Sequence, residues 1–269
     1  MIFQRMKGMI ATKKISPLFI KASLVFCLGI GVCSPVAAGK TAINLLAGGS
    51  VIEFGDNEKH IVFPPESFRT DSFNVSGHPI DFAPAIGISY DVDIDSAYRD
   101  IRYLFHSVSL GINAYYNQTS RDGIVLQYGL PDFANSTYNM KVSSSRLMLD
   151  TELDFRPLWE GIMLFIEVGA GAARNTLSFE NNPLPNVGAD GGFYSLSKNP
   201  QIQFAYEAGA GIKVPICHNL VLSARYLYAN SGNAESSKYD YSTGVTLGKP
   251  IKVKIESQSV LVGLSYLFG

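Results

Sequence analysis

The sequence predicts an all-β fold, namely an eight-stranded antiparallel up-and-down transmembrane β-barrel. The first reason is that apolar and polar side chains alternate along many short segments after residue 38. A period of two is typical of strands with two unlike faces. The second reason is that the connections between these segments alternate between long and short, as in barrels with short periplasmic turns and long outside loops. No later apolar run approaches the ~20 residues that a transmembrane helix needs.

The N-terminal region reads as a secretory signal peptide. Three lysines within the first 14 residues precede a mostly apolar run, 18–32, and the small residues Val36-Ala37-Ala38 follow it. A basic region, a short apolar region and a small-residue cleavage site are the three parts of such a signal. We therefore predict that residues 1–38 are cleaved and that residues 39–269 form one barrel domain in a bacterial outer membrane.

The hairpin at the centre of the chain has the clearest alternation. Leu147 and Leu149 share one face of the segment 147–155, and Ile166 lies on the equivalent face of the segment 162–172. The opposite faces carry carboxylates and glycines. A soluble sheet must cover its apolar face, whereas a membrane barrel turns that face to lipid and keeps the polar face inside.

Six further segments alternate in the same way, and we predict one strand in each: 43–51, 80–93, 107–114, 202–214, 220–228 and 260–268. Pro84 has no backbone N–H, so we expect a bulge there or a position near the barrel rim. Residues 251–257 alternate in the opposite phase to the last strand. That change predicts either a bulge near Ser257 or a segment that stands above the lipid.

The connections place both chain ends of the barrel in the periplasm. The long ones are 55–78, 117–141, 174–199 and 230–250, and the short ones are 94–102, 156–160 and 215–219. The long connections are rich in Asn, Ser, Asp, Gly and Pro, which predicts four solvated extracellular loops.

At this point the chain resembles the small eight-stranded outer-membrane barrels, the superfamily of the OmpA transmembrane domain, OmpX and the opacity-type surface proteins. The resemblance rests on the alternation, the loop rhythm and the C-terminal strand VLVGLSYLF. It implies two partners, outer-membrane lipid and the barrel-assembly machinery, and it implies that Tyr266 and Phe268 form the assembly signal. Gly269 follows Phe268, whereas members of the superfamily end in an aromatic residue.

Charged residues on the inward faces form the candidate functional site. Glu152, Glu167, Glu207 and Arg225 lie near mid-strand on four consecutive predicted strands, and Asp150, Asp154 and Lys213 flank them. The interior of an eight-stranded barrel is just wide enough to fill with side chains, so these charges need partners. The cluster is either a salt-bridged plug that fixes the barrel register, or a gate for a narrow cation path, or a three-carboxylate metal site. We predict no metal, because no inward histidine accompanies the carboxylates.

Catalysis has one candidate set, His106 with Ser107 or Ser109, by analogy with eight-stranded barrels that modify lipid A. It lies near a short turn on the periplasmic side, and no acid is obvious beside it. We therefore predict neither an enzyme nor a bound cofactor. The formal net charge of -1 gives no indication of a nucleic-acid partner.

The long loops carry the predicted function. A barrel this narrow is not a general porin, and loops of about twenty residues on a rigid scaffold are typical binding elements. We expect contact with a host or surface ligand, in adhesion or envelope structure. Two alternatives stay open: a narrow ion or small-solute pore, and a soluble lipocalin-like barrel with the apolar face inward.

Overall fold

The computed structural model describes residues 39–55, 58–64, 69–94, 104–157, 161–185 and 193–268, so the predicted signal peptide lies outside the described residues. Within these ranges no helix is long and apolar enough to span a bilayer. The described strands are β1 (Gly39–Glu53), β2 (Glu58–Val62), β3 (Thr70–Asn74), β4 (Ile80–Asp93), β5 (Phe105–Leu126), β6 (Ser136–Phe155), β7 (Met163–Pro183), β8 (Tyr194–Leu196), β9 (Lys198–Asn199), β10 (Gln201–Cys217), β11 (Leu220–Ser236) and β12 (Lys252–Phe268).

Eight of the described strands pair into a closed antiparallel ring. The order around the ring is β5, β4, β1, β12, β11, β10, β7, β6 and again β5. The first and last strands close it, with Thr41 opposite Phe268. The predicted eight-stranded up-and-down barrel is confirmed. Closure pairs the backbone N–H and C=O groups of the wall with each other, as the water-free interior of a membrane requires.

The outer face of the ring carries a belt of apolar side chains that are open to the surroundings. Ile112, Val168 and Val262 are 56%, 57% and 54% exposed. Further members of the belt come from the other strands: Leu45, Ile88, Leu149, Phe204 and Leu222. The predicted outward faces are thus confirmed. The alternative of a soluble barrel is wrong, because it requires these side chains to point inward and away from water.

The inner face changes in layers along the barrel axis. On β6, from the periplasmic end outward, the inward residues are Asp154, Glu152, Asp150, Met148, Arg146, Ser144, Val142, Met140 and Tyr138. The first three belong to a carboxylate-rich lower half. Met148 packs in a small apolar layer with Leu46, Tyr115, Ala173, Leu227 and Leu261. A polar layer at the height of Arg146 follows, and an apolar core lies beyond it.

The described parts of the long connections are largely strand, whereas their composition predicted solvated loops. β5, β6 and β7 are 22, 20 and 21 residues long, whereas a tilted membrane strand needs only ~9–11. Their outer halves therefore continue above the apolar belt. The hairpin of β2 and β3 joins β5, while β8 pairs with β7 and β9 with β11. We call this outer part the head; it comprises the described residues of 52–79, 117–144, 173–200 and 229–258.

An apolar core fills the interior of the head. Eighteen described residues are buried in it, including Ile52, Phe54, Ile61, Val125, Met140, Leu177, Leu247, Ile251 and Val253. The rings of Phe73, Tyr138, Phe179 and Tyr194 pack in sequence, with centroids 4.7 to 6.3 Å apart. The Tyr138 hydroxyl donates a hydrogen bond to the Asn74 carbonyl at 2.7 Å. The head is therefore a packed extension of the barrel.

The opposite phase of residues 251–257 is explained by this core. β12 pairs with β1 in one continuous register, so Val253 and Ile255 point inward, into the head core, while Val260 and Val262 point outward to lipid. The segment stands above the apolar belt, which was the second of the two expectations. A register shift does occur, but on β11 between Asn230 and Gly232.

Pro84 causes no bulge in the wall. It lies opposite Ala47 in an uninterrupted register between β4 and β1. In the described chain, the pairing of β4 with β5 begins one residue later, at Ala85. Pro84 therefore lies where that ladder ends, and its missing N–H interrupts no described rung between β4 and β5.

Candidate functional site

The register brings the predicted lumen residues together in the lower half of the barrel. Glu152 on β6 lies directly opposite Glu167 on β7. The next strand, β10, places Gly209 opposite Glu167, and β11 carries Arg225 one strand further on. These side chains point inward and are largely buried. The structure thus brings Glu152, Glu167 and Arg225 together on the inward face of the wall.

Arg225 lies between the two opposed glutamates. Its Nη1 is 2.5 Å from Glu167 Oε2, and its Nη2 is 3.5 Å from Glu152 Oε2. Like charges directly opposite in a ladder destabilise it, and leaving a buried charge unpaired costs several kcal/mol. The planar guanidinium offsets both charges because it donates in two directions.

Lys213 holds the periplasmic end of the same cluster. Its ammonium contacts Glu152 and lies 2.9 Å from Asp154 Oδ1. Asp154 also accepts a hydrogen bond from Ser107 at 2.7 Å. The ring of Phe165 lies 5.3 Å from Lys213 Nζ and 5.0 Å from Arg225 Cζ, so it packs against both cations.

Glu207 has a different cation, which the sequence prediction missed. Arg146 Nη1 lies 3.9 Å from Glu207 Oε2 and donates a hydrogen bond to Ser257 at 3.3 Å. The same guanidinium lies 5.0 Å from the centroid of the Tyr115 ring. Arg146 was missed because it immediately precedes the predicted strand 147–155. Even-numbered residues of that strand point inward, so extending the alternation by one residue would have placed Arg146 in the lumen.

Two glycines leave room for the carboxylates against the wall. A Cβ added to Gly169 would collide with Asp150 and lie 3.0 Å from Glu207 Cγ. One added to Gly209 would lie 2.6 Å from Glu167 Oε1. The alternation of carboxylates and glycines on these strands therefore has a steric reason. Asp150 is further oriented by Asn113, which donates to its Oδ2 at 2.7 Å.

The remaining lumen candidates lie closer to the periplasm. His106, Ser107 and Ser109 line the lower lumen, on the side where the sequence placed them. Among the described residues, no group of three or more His, Cys, Asp or Glu side chains is arranged to hold a metal ion.

A second candidate site lies at the outer tip of the head. Two single 3-10 turns, Gln127–Gly129 and Pro131–Phe133, connect β5 to β6. Tyr128, Leu130 and Phe133 on these turns are 49%, 48% and 43% exposed. We call these three residues the tip platform. The rings of Tyr128 and Phe133 meet edge to face at 6.3 Å.

Tyr128 is held in place by the β2–β3 hairpin. It has a φ of 56°, which bulky residues rarely adopt. Its backbone N–H donates to Asp71 Oδ1 at 3.1 Å. Arg69 pairs with Asp71 at 2.6 Å, and its Cζ lies 5.8 Å from the Tyr128 ring centroid. These contacts therefore hold the strained backbone of Tyr128 in place, as is common for strained residues at functional sites.

Asp240 anchors another part of the head. Its carboxylate accepts hydrogen bonds from the Ser195 N–H at 2.8 Å, from Ser242 at 2.7 Å and from Thr243 at 2.6 Å. These bonds join the segment between β11 and β12 to β8. Burial opposes the charge, but the hydrogen bonds outweigh it and lower the pKa of Asp240.

The closed antiparallel ring, the lipid-facing apolar belt and the charged lumen define an integral outer-membrane β-barrel. No known protein-family profile matches the chain. The chain is similar to outer membrane protein PagN of Salmonella typhimurium, with 32% identity over 104 residues, which are 39% of this chain and 41% of that protein. The match therefore spans less than half of the relative's length.

Solved structures of outer-membrane barrels are similar over most of the chain. Neisserial surface protein A has a TM-score of 0.43 and 14% identity, covering 86% of this chain and 99% of that one. The outer membrane protease OmpT from Escherichia coli has a TM-score of 0.45 and 11% identity, covering 88% and 99%.

Proposed function

We propose that this protein presents the tip platform at the cell surface for adhesive contact with a host or other external surface. The observation that carries the proposal is an exposed cluster of aromatic and aliphatic side chains on a packed head. Apolar side chains gathered at the tip of a surface protein favour a binding role. The role is one of binding rather than catalysis.

The head core supports this proposal energetically. Contact by a flexible loop costs conformational entropy, because the loop becomes ordered on binding. Here Phe73, Tyr138 and Phe179 already pack beneath the tip, and Asp71 fixes the backbone of Tyr128. The tip platform is therefore preorganised for contact.

The experiment is attachment of bacteria that display the barrel to monolayers of cultured epithelial cells. The test variant combines Tyr128→Asn, Leu130→Ser and Phe133→Ser, which removes the apolar surface and keeps a residue that tolerates positive φ at position 128. We expect attachment to fall to the level of cells without the barrel.

The matched control is Tyr241→Ser, which removes an exposed aromatic ring from another part of the head. It should leave attachment unchanged. Equal attachment of the triple variant and the parent, at equal surface display, would overturn the proposal. Equal loss in the control would assign adhesion to the head in general instead of the tip platform.

We further propose that the lumen charge cluster is a structural plug. Supporting this role, Arg225 on β11 pairs with Glu152 on β6 and Glu167 on β7, and Lys213 on β10 pairs with Glu152 and Asp154 on β6. Such pairing favours one strand register, because a slip would separate the charges. Against a gating role, two apolar layers lie above the cluster in the same lumen.

The C-terminal aromatic pair keeps its proposed role in assembly. Tyr266 and Phe268 lie on the outer face of β12 with ring centroids 4.8 Å apart. Phe268→Ala should slow insertion of the barrel into the outer membrane without changing the final fold. The insertion rate is measured by the gel mobility of unboiled samples over time.

A further inference from the structure

The tip platform is small for a site that recognises a protein. Its three side chains, Tyr128, Leu130 and Phe133, come from six consecutive residues and are each a little under half exposed. A fully covered aromatic side chain buries about 150–250 Å², so the platform offers on the order of 300 Å² for contact. A stable protein interface needs about 800 Å² from each partner. The exposed area therefore disfavours a protein receptor that binds the platform alone.

All three platform residues use their backbone N–H group inside the protein. Tyr128 donates to Asp71 Oδ1 at 3.1 Å. Leu130 donates to the Gln127 carbonyl at 3.1 Å, and Phe133 donates to the Leu130 carbonyl at 3.0 Å. Backbone that contacts lipid must have its donors satisfied internally, because lipid offers no acceptor of its own. The platform meets this condition and keeps none of these donors for a peptide or a glycan.

The turns that carry the platform bring no positive charge. Asp132 is the only charged residue of 127–135, and it is exposed. Arg69 lies beside the Tyr128 ring, but it pairs with Asp71 at 2.6 Å and its side chain is 10% exposed. Attraction to anionic lipids or polysaccharides comes from clusters of exposed Lys and Arg. The described tip therefore fits an electrically neutral partner.

The tip stands well above the membrane that holds the barrel. Tyr116 lies outward near the upper edge of the apolar belt, and β5 continues from there for ten residues to Leu126. Ten residues span about 34 Å along a strand, which is a height of roughly 24 Å at the usual tilt. The lipid surface within reach of the platform is therefore that of a facing cell.

We propose that the tip platform binds the neutral phospholipid surface of a contacted cell, with phosphatidylcholine as the lipid class. The inference rests on the proposed adhesive function and names the partner of the same site. Leu130 and Phe133 enter the boundary between headgroups and acyl chains. Tyr128 touches the Phe133 ring and keeps its hydroxyl at headgroup level, where amphipathic rings are favoured.

The experiment measures binding of fluorescent phosphatidylcholine vesicles to bacteria that display the barrel, after the cells are sedimented. We expect at least tenfold more bound vesicles on the parent than on the triple variant of the tip platform, because the variant loses its apolar contact area. Adding phosphatidylserine to the vesicles should not increase binding, since the platform turns carry no cation. Leu130→Ser alone is the second variant if the triple variant is displayed poorly, and it too should weaken binding.

A tryptophan placed in the platform reports contact with acyl chains directly. Trp159→Phe removes the native tryptophan of the chain, and Phe133→Trp is added to it. Vesicles with brominated acyl chains should quench this tryptophan. The matched control is Tyr241→Trp in the same Trp159→Phe background, which places a tryptophan at another exposed position of the head and should escape quenching.

The results separate this inference from the adhesive function on which it rests. If the parent binds no more vesicles than cells without the barrel, or if the triple variant binds as many as the parent, the lipid partner is wrong. Loss of attachment to epithelial cells in the triple variant, without vesicle binding by the parent, keeps adhesion and points to a protein or glycan receptor. Vesicle binding that depends on the platform, with unchanged epithelial attachment, keeps the lipid contact and removes the adhesive function.

Discussion

Arg225 is the cation that lies between the two opposed glutamates of the lumen charge cluster. Replacing it in Arg225→Met leaves Glu152 and Glu167 opposite each other, buried and without their shared cation. Removing one partner of a buried ion pair typically costs about 3–5 kcal/mol. We expect the free energy of unfolding to fall by about that amount, measured by urea unfolding in lipid vesicles with gel mobility as the readout.

Lys252→Met is the control for this prediction, because Lys252 pairs with Glu235 on the exposed side of the head at 3.1 Å. An exposed pair contributes at most about 1 kcal/mol. Adding Glu167→Gln to Arg225→Met should recover part of the lost stability, since it removes the carboxylate that has lost its ion pair with Arg225, whereas Glu152 keeps its contact with Lys213. Equal urea midpoints for Arg225→Met and Lys252→Met would contradict the assignment.

The Asp240 carboxylate makes the stability of the head depend on pH. Its folded pKa is lowered by the hydrogen bonds from Thr243, Ser242 and Ser195. A lowered folded pKa means that this contribution to stability is present above the unfolded pKa of about 3.9. It is lost as the pH falls through the folded value. The segment between β11 and β12 should therefore stay anchored at pH 5.

Asp240→Asn tests this prediction by limited proteolysis of intact cells. The variant keeps the shape of the side chain but accepts hydrogen bonds less strongly, so cleavage within residues 237–247 should be faster at pH 5 to 7. The parent should acquire the same sensitivity only in acid below pH 4. Identical cleavage of parent and variant at pH 7 would show that the carboxylate does not anchor the segment.

At the scale of the strand, the outer half of β7 is stabilised by the head core and the lower half by lipid. Phe179→Ala removes a fully buried ring from the core, which costs about 3–5 kcal/mol in a well-packed interior. We expect faster proteolysis of the head on intact cells, while the membrane part stays folded. Val168→Ala, on the same strand but facing lipid, is the control and should leave the head resistant. A protease-resistant head in Phe179→Ala would contradict the role of the core.

Strands at the level of the membrane could be predicted because lipid imposes one rule on every residue of the outer face. Ile112, Leu149 and Val168 are apolar for the same reason, so a period of two is visible. The head follows the reverse rule, with water outside and an apolar core inside. The apolar residues Val253 and Ile255 therefore point inward, and the alternation of their segment is opposite to that of the lipid-facing part of the strand. The serines and asparagines on the outer face of the head gave these segments the composition of loops.

For the candidate site, the sequence could predict only which face of its strand each residue lies on. Alternation alone places Glu152, Glu167, Glu207 and Arg225 inside the barrel. Which cation meets which carboxylate depends on the register of neighbouring strands, and single-strand patterns contain no register. The pairing of Arg146 with Glu207 across β7 depends on that register. The tip platform could not be predicted for another reason. The φ of Tyr128 is fixed by contacts with a hairpin that is distant in the sequence.

At the scale of the whole molecule, the lumen is divided along the barrel axis into four layers with different chemistry. An acidic cavity lies at the periplasmic end, and the apolar layer of Met148 and Tyr115 covers it. The polar layer of Arg146 and the head core follow. Since the interior of an eight-stranded ring is only wide enough for side chains, each of the three upper layers is sufficient to block it.

The layers predict that the inserted barrel does not conduct ions. In planar bilayers the protein should give no discrete conductance steps, and insertion is verified by the different gel mobility of unboiled and boiled samples. Glu207→Gln should also be silent, because it changes one charge without opening a path. Phe179→Ala should remain silent as well, since the Arg146 and Met148 layers still fill the lumen when the head core is loosened. Conductance steps that appear in the parent and change in Glu207→Gln would contradict the structural plug and favour the alternative of a narrow pore. Steps that appear only in Phe179→Ala would mean that the head core alone closes the barrel, and that the lower layers leave a continuous path for ions.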